Sequence, residues 1–346
     1  MVARRLRDKT MPEAEKKMTP APSRRELLAA AAATAFWSQV AQAASPLDAI
    51  PIIDSHMHLF DATRPQGAPY TGSPQFKGGV SLPAAYIAQA RPAGIVGAMA
   101  MEASNWLEDN LWLMERVESE DFFVGMVGML DPSGPQFAEY LDRFAKNRLF
   151  RGIRYGKLWG FNISQKVNDP ALADGLRRLA GKGLPMDTAN IDIDLLQTVI
   201  RLNDKVPDLK IVLDHSAAFA PRPQEQAAYD AAMKEIAQRP NIATKLSWNV
   251  ITQAMTDRQV GGQTVSGLPA YKDRLDMLTG VFGEDRVLFC SNYPQTVGNV
   301  VTKVGEILQL TKAYYAARPL PEAEKFFWRN SLAIYRWIKR DSHQPG

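Results

Sequence analysis

The chain has 346 residues, 46% of them hydrophobic and 23% charged, which is enough apolar material for a sizeable core and argues against bulk disorder. Eight of its 41 basic and four of its 37 acidic residues precede residue 44, so the rest carries 33 of each and the net charge of +4 resides in the N-terminal segment. This balance excludes a general electrostatic attraction to nucleic acid or to an anionic membrane. The one cysteine, Cys290, excludes an intramolecular disulfide and a zinc site built on several thiolates.

The N-terminal segment has the pattern of a bacterial export signal. Arg24 and Arg25 form a twin-arginine pair, an apolar stretch follows over residues 27–37, and Ala41-Gln42-Ala43 is a small-x-small cleavage pattern. The three features occur in the order that a twin-arginine signal requires. An ordinary alanine-rich N-terminal helix is the alternative interpretation. We expect residues 1–43 to be removed on export to the periplasm or the medium. The apolar stretch is too short to remain as a membrane anchor.

After residue 46, apolar strand-like runs alternate with amphipathic, helix-like stretches. Alternation at this spacing predicts a parallel sheet covered by helices, and eight units match a closed (β/α)₈ TIM barrel of the α/β class. A doubly wound open sheet is the competing architecture, but no Gly-x-Gly-x-x-Gly motif follows the first strand. The predicted strands span residues 52–60, 95–103, 122–130, 150–155, 185–189, 210–215, 242–248 and 286–291, and the predicted helices span residues 82–93, 109–118, 136–146, 171–182, 195–203, 224–238 and 271–282.

The single domain is expected to span residues 46–340. A final helix is predicted over residues 322–339, packing across the barrel, and residues 341–346 are expected to be a frayed tail. Three longer connections, at residues 61–82, 217–224 and 252–268, follow predicted strands. Loops that follow strands lie over the C-terminal mouth of a barrel, where we expect them to shape a pocket for a small molecule.

The strongest chemical signal is Asp54-Ser55-His56-Met57-His58 at the end of the first strand. Side chains two apart on a strand point to the same side, so His56 and His58 are expected to face the barrel interior together. Two converging imidazoles suit a divalent metal such as zinc or manganese, and a pair of core histidines with other partners is the alternative. His343, in the tail, is expected to have no role.

Three further strand ends carry candidate catalytic groups. His215 is a candidate third metal ligand or general base, whereas Asp214 should point the opposite way and is interpreted as structural, bonding a helix N-terminus. Glu102 is a candidate ligand or base, with a surface salt bridge as the alternative. Arg154 is expected to hold a substrate carboxylate or an oxyanion, or else to pair with Glu102 or Asp187.

Three aromatic residues near the expected rim are candidates for substrate contacts. Trp248 would narrow the pocket or stack on a sugar-like ring, and packing alone would also explain it. Trp106 and Tyr293 have the same two interpretations.

Four segments of the chain form one recognisable set: residues 53–67, Glu102-Ala103-Ser104-Asn105-Trp106-Leu107-Glu108-Asp109-Asn110, Phe150-Arg151-Gly152-Ile153-Arg154 and Lys245-Leu246-Ser247. Together they resemble the amidohydrolase-related (amidohydrolase 2) group over residues 52–330. The group includes sugar-acid lactonases, other lactone hydrolases and metal-dependent decarboxylases of aromatic acids, and Thr63-Arg64-Pro65-Gln66-Gly67 is most similar to the lactonases. The resemblance implies a TIM-barrel hydrolase.

One position departs from that group. Its last strand commonly ends in Gly-Ser-Asp, and the aspartate serves as general base or metal ligand, whereas this chain has Cys290-Ser291-Asn292. An amide cannot accept a proton near neutral pH. Asn292 is therefore expected to hydrogen-bond a substrate hydroxyl or carbonyl, which leaves His215, Glu102 or metal-activated water to take the proton.

The sequence thus predicts an exported hydrolase of a small cyclic ester, such as a sugar-acid lactone, in which a divalent metal or His215 activates water. A metal-dependent decarboxylase of an aromatic acid is the second hypothesis, and the missing carboxylate at position 292 counts against it. A binding barrel that has lost catalysis is the third. An oligomer is possible, but no visible feature of the sequence encodes one.

Overall fold

The computed structural model describes residues 45–346 apart from residues 70–78, 217–218, 220, 247–257, 261–262, 266–267, 295, 298–299 and 302–303. Within it, Pro46–Gly346 forms one compact unit. The predicted export signal at residues 1–43 lies outside the described residues. None of the helices described here is both long enough and apolar enough to cross a membrane.

Eight parallel strands follow one another in chain order around one sheet, which confirms the predicted TIM barrel. All seven residues of the first strand are buried, because side chains pack inside a barrel and helices cover its outside. The strands are β1 (Ile52–His58), β2 (Ile95–Met101), β3 (Phe123–Gly128), β4 (Phe150–Arg154), β5 (Met186–Thr188), β6 (Ile211–Leu213), β7 (Ile242–Leu246) and β8 (Val287–Phe289).

The barrel closes where the chain just beyond β8 runs beside β1. The Ser55 hydroxyl donates to the Phe289 carbonyl (2.6 Å), and the Asn292 N–H donates to the His56 carbonyl (2.8 Å). Asp54, which is fully buried, accepts from the Ser291 N–H (2.9 Å) and from the Ser291 hydroxyl. The two ends of the sheet are therefore held together by side chains as well as by backbone.

Helices cover the outside of the barrel and confirm the predicted alternation. The helix predicted at residues 109–118 has those bounds, and the other predicted helices differ by less than one turn at either end. Short 3₁₀ turns adjoin two of the helices, at Arg91–Ala93 and Pro223–Glu225. The helices are α1 (Pro83–Ala90), α2 (Asp109–Glu118), α3 (Phe137–Phe144), α4 (Ile163–Lys166), α5 (Pro170–Gly181), α6 (Ile193–Lys205), α7 (Gln226–Ala237), α8 (Leu268–Phe282), α9 (Val304–Tyr315), α10 (Leu320–Glu324) and α11 (Asn330–Tyr335).

Helix α9, which follows β8, was not among the predicted helices. The single helix predicted at residues 322–339 is instead α10, the π-helical segment Lys325–Arg329 and α11, and it ends at Arg336, which has a φ of 49°. This C-terminal segment does pack across the barrel. Its Phe326 lies 5.9 Å from the ring of Phe289 on β8, and the Ile338 N–H donates to the Val124 carbonyl of β3 (2.9 Å).

The expectation of a frayed tail is wrong. Gln344 is 1% exposed, and its amide donates to the carbonyls of Asp121 (2.9 Å) and Phe122 (3.2 Å) while its carbonyl accepts from the Arg340 N–H (2.7 Å). The Arg340 guanidinium donates to the carbonyls of four further residues: Val117, Glu118, Glu120 and Phe123. The tail is held in place because these two side chains donate hydrogen bonds to backbone carbonyls around the start of β3.

Candidate active site

The C-terminal ends of the strands bring most of the predicted site residues together at one mouth of the barrel. His56 and His58 come from β1, Glu102 follows β2, Arg154 ends β4, and His215 follows β6. Apart from His215, which is half-buried, these side chains are no more than 8% exposed. Titratable groups gathered at this end of a barrel are typical of an active site.

The three histidines form one cluster, as the spacing on β1 predicts. Nε2 of His56 and Nε2 of His58 lie 3.1 Å apart, and the ring of His215 lies 4.7 Å from that of His56. Burial lowers the pKa of His58 to about 3 and that of His215 to about 4, and it lowers the pKa of His56 well below its ordinary value. All three imidazoles are therefore neutral near pH 7, which is the form that binds a metal or accepts a proton.

Asp214 lies inside this cluster, so the prediction that it points away and bonds a helix N-terminus is wrong. Strand β6 ends at Leu213, and His215 has a φ of 61°, which breaks the alternation on which the prediction depended. Asp214 Oδ2 instead accepts from Arg154 Nε (2.8 Å), and Oδ1 lies 3.3 Å from His56 Nδ1.

Arg154 joins two buried carboxylates. Besides Asp214 it binds Glu102, whose Oε1 accepts from Nη1 (3.0 Å). Glu102 Oε2 also accepts from Trp159 Nε1 (2.8 Å) and from the Ser104 N–H (3.0 Å). Burial raises the pKa of Glu102, and the nearby guanidinium partly opposes that rise. The predicted pairing of Arg154 with Glu102 is thus present, and its second partner is Asp214 rather than Asp187.

Lys245 on β7 is a site residue that sequence reasoning did not single out. It is fully buried, with Nζ bonded to Asp187 of β5, 3.2 Å from Asp214 Oδ1 and 3.3 Å from His56 Nδ1. Asp187 also accepts from the Tyr335 hydroxyl of α11 (2.9 and 2.8 Å). Burial opposes the charge of Lys245, but the two aspartates raise its pKa. The signal was available, because a lysine inside an apolar strand is almost always paired.

The predicted substrate-contacting aromatics are spread over different environments. Trp106 is 37% exposed near the end of β2. Tyr293 is instead 6% exposed and packs on Tyr86 with ring centroids 5.2 Å apart, so it belongs to the barrel closure. Trp248 lies outside the described residues. Trp159, which was not predicted, reaches the cluster through its bond to Glu102.

A family model described as amidohydrolase matches residues 53–337. The chain belongs to the amidohydrolase family. Membership of this family makes the protein a hydrolase, as the resemblance implies.

Two curated proteins and one solved structure are similar to this chain. An uncharacterized protein, y4mH, from Sinorhizobium fredii is 24% identical over 316 residues, which cover 83% of this chain and 99% of the relative. L-fucono-1,5-lactonase from Burkholderia ambifaria is 25% identical over 155 residues, covering 45% of this chain and 53% of the lactonase. A crystal structure of an amidohydrolase from Burkholderia multivorans with bound zinc has a TM-score of 0.70 and 22% identity, covering 83% of this chain and 99% of that one.

The donors of this amidohydrolase fit one divalent ion. With zinc–nitrogen bonds of about 2.0–2.1 Å, tetrahedral ligand nitrogens lie about 3.3 Å apart, close to the 3.1 Å between the Nε2 atoms of His56 and His58. Ligand atoms of His56, Asp214 and His215 also lie within 4.8 Å of one another. Arg154 and Lys245 already engage Asp214, so the imidazoles are the donors with the greater freedom to bind the ion.

Asn292 lies at this mouth, where the resemblance implies an aspartate. It is 2% exposed, has a φ of 54°, and is tied to β1 by its N–H bond to His56. Its Oδ1 is buried and has no hydrogen-bond partner among the described residues. An unsatisfied buried acceptor costs about 1–3 kcal/mol of desolvation free energy. A ligand that donates a hydrogen bond to Oδ1 would recover that free energy on binding.

Proposed function

We propose that this amidohydrolase is an exported hydrolase of small cyclic esters, such as sugar-acid lactones. The observation that carries the proposal is the set of neutral imidazoles of His56, His58 and His215 converging beside the Arg154 guanidinium. The similarity to L-fucono-1,5-lactonase supports a lactone as the substrate class. The twin-arginine pattern at Arg24 and Arg25 supports export.

One zinc or manganese ion, held by His56 and His58, would polarise the ester carbonyl and make water more acidic. Each surrounding side chain then has a separate task. His215 is the one cluster histidine that is half-buried, so its neutral ring can take a proton from water at the mouth. Glu102 uses both of its oxygens to hold neighbouring groups, which fits a role in fixing Arg154 better than a role as base.

Two groups are suited to orient the substrate. Arg154 uses Nε and Nη1 for Asp214 and Glu102, and Nη2, for which the described residues provide no partner, can donate to the ester carbonyl as negative charge develops there. Asn292 Oδ1 can accept from a ring hydroxyl, and sugar-acid lactones carry several. A lactone is easier to hydrolyse than an amide, so loss of the aspartate at position 292 is compatible with turnover.

The proposal is tested by incubating the purified protein with a panel of aldonolactones, with and without zinc or manganese, while acid release is followed. We expect hydrolysis above background for at least one lactone. His215→Ala should lower kcat/KM by about 10²–10⁴-fold, because it removes the proton acceptor. His343→Ala is the matched control, since that histidine is exposed and remote from the mouth. The proposal is contradicted if no lactone of the panel is hydrolysed faster than in buffer. It is also contradicted if His215→Ala and His343→Ala are equally active.

A further inference from the structure

The two histidines of β1 constrain each other's protons. His58 Nδ1 lies 2.9 Å from the Glu102 carbonyl and 3.3 Å from the Met101 carbonyl. A carbonyl oxygen only accepts, so Nδ1 of His58 carries the proton of the neutral ring. Nε2 of His58 is then a lone pair, and it faces His56 Nε2 at 3.1 Å.

Two facing lone pairs at that distance repel. Either a cation lies between the two nitrogens, or one of them carries a proton. In the metal-free protein, His56 has to supply the proton as an Nε2–H donor to His58. Its Nδ1 is then unprotonated and needs a donor of its own. Lys245 is placed for this, with Nζ 3.3 Å from His56 Nδ1 in hydrogen-bond geometry.

A metal ion at the two Nε2 atoms reverses this arrangement. His56 must then present a lone pair at Nε2, so the proton leaves Nε2 and an equivalent proton binds Nδ1, and the ring remains neutral. The group placed to accept from Nδ1–H is Asp214 Oδ1, also at 3.3 Å. Among the described residues this oxygen forms an ion pair with Lys245 but accepts no hydrogen bond. The two tautomers of His56 thus have different partners, Lys245 for one and Asp214 for the other.

We propose that Lys245 is a positioning residue that selects the metal-free tautomer of His56 and thereby lowers the affinity of the site for a divalent ion. Its ammonium group is held in place from the far side, because the Tyr335 hydroxyl fixes Asp187 and Asp187 binds Nζ. The same positive charge lies 3.2 Å from Asp214 and repels any cation that the imidazoles bind. This inference rests on the proposed metal ligands and not on the proposed substrate, so its test uses no substrate.

The first measurement is a long-range ¹H–¹⁵N spectrum of the ¹⁵N-histidine-labelled protein, recorded metal-free and after one equivalent of zinc. His56 signals are assigned from their loss in His56→Gln. We expect the Nε2–H tautomer of His56 without metal and the Nδ1–H tautomer with zinc. An Nδ1–H tautomer in the metal-free protein, or an unchanged tautomer after zinc binding, overturns the proposal.

The second measurement is the zinc affinity of Lys245→Met by isothermal titration calorimetry. We expect affinity to rise by about tenfold or more, because a nearby positive charge and the donor to Nδ1 are both removed. A merely structural role predicts the opposite, since disordered ligands bind zinc more weakly. Lys325→Met is the matched control, because Lys325 also bridges two carboxylates, Glu284 and Asp285, which precede β8 at the end of the barrel opposite the mouth, and the zinc affinity of this variant should not change.

Lys245→Met leaves Asp187 buried without its cation, which can prevent folding. The double variant Lys245→Met/Asp187→Asn removes both charges of the pair, and its expected zinc affinity is also about tenfold or more above that of Asp187→Asn alone. An affinity equal to or below that of Asp187→Asn overturns the proposal. If zinc binds as expected but no lactone is hydrolysed, the substrate assignment fails while the role of Lys245 stands.

Discussion

Asn292 is the residue at which this chain departs from the aspartate that the family resemblance implies. Its buried Oδ1 has no hydrogen-bond partner in the part of the chain that the structure describes, and its backbone is held at positive φ beside His56. A carboxylate at this position would add a proton acceptor and a negative charge next to the imidazoles, whereas the amide adds neither. In the proposed mechanism, the amide therefore leaves proton transfer to His215.

Asn292→Asp tests this role of the amide. We expect zinc affinity and kcat/KM for a lactone both to increase by about tenfold, and we expect the metal-free variant to be less stable by about 1–3 kcal/mol, since the substitution buries another anion. Calorimetry, initial rates and urea unfolding with and without zinc measure these changes. Asn190→Asp is the control, because Asn190 also has a φ near 61° but is exposed. Slower turnover with unchanged zinc affinity would contradict this account.

At the scale of elements, strands and helices were largely predictable because each barrel unit repeats one apolar pattern. The sequence-based predictions failed at positions where tertiary contacts determine the direction of a side chain. Asp214 leaves the sheet one residue beyond β6, and its direction depends on the φ of His215, which no hydrophobic pattern encodes. The ion pairs of Lys245 join strands far apart in the chain, so the sequence could show only that a lysine occupied an apolar strand.

The C-terminal tail is the element most misjudged from its sequence, since its polar composition is typical of a frayed end. Gln344→Ala should lower the free energy of unfolding by about 1–3 kcal/mol, because it removes the hydrogen bonds of a buried side chain to the carbonyls of Asp121 and Phe122 and from the Arg340 N–H. His343→Ala, one residue away and exposed, should change it by less than about 0.5 kcal/mol. Urea unfolding of both variants measures the difference, and equal midpoints would show that the tail does not stabilise the barrel.

At the scale of the whole molecule, the proposed export signal lies before the barrel and makes a prediction of its own. Expression of the full chain should give a periplasmic protein shortened near residue 43, and Arg24→Lys/Arg25→Lys should leave the full-length protein in the cytoplasm. Fractionation and intact mass measure both outcomes. Arg4→Lys/Arg5→Lys is the control, because it changes another arginine pair outside the signal pattern. Equal export of the two variants would mean that Arg24 and Arg25 are not the signal.

The barrel closure has a consequence for the order of folding. Ser291 and Asp54, which join the two ends of the sheet, are 237 residues apart in the chain. Such remote pairs form late, because the entropy of closing the intervening chain must be overcome first. Asn292 bonds to His56 at the same junction, so we expect the mouth to be completed only at that late step. A ligand at 100 times its Kd would stabilise the closed barrel by about 2.7 kcal/mol. A ligand bound at the mouth would therefore oppose opening of the junction between β1 and the chain beyond β8.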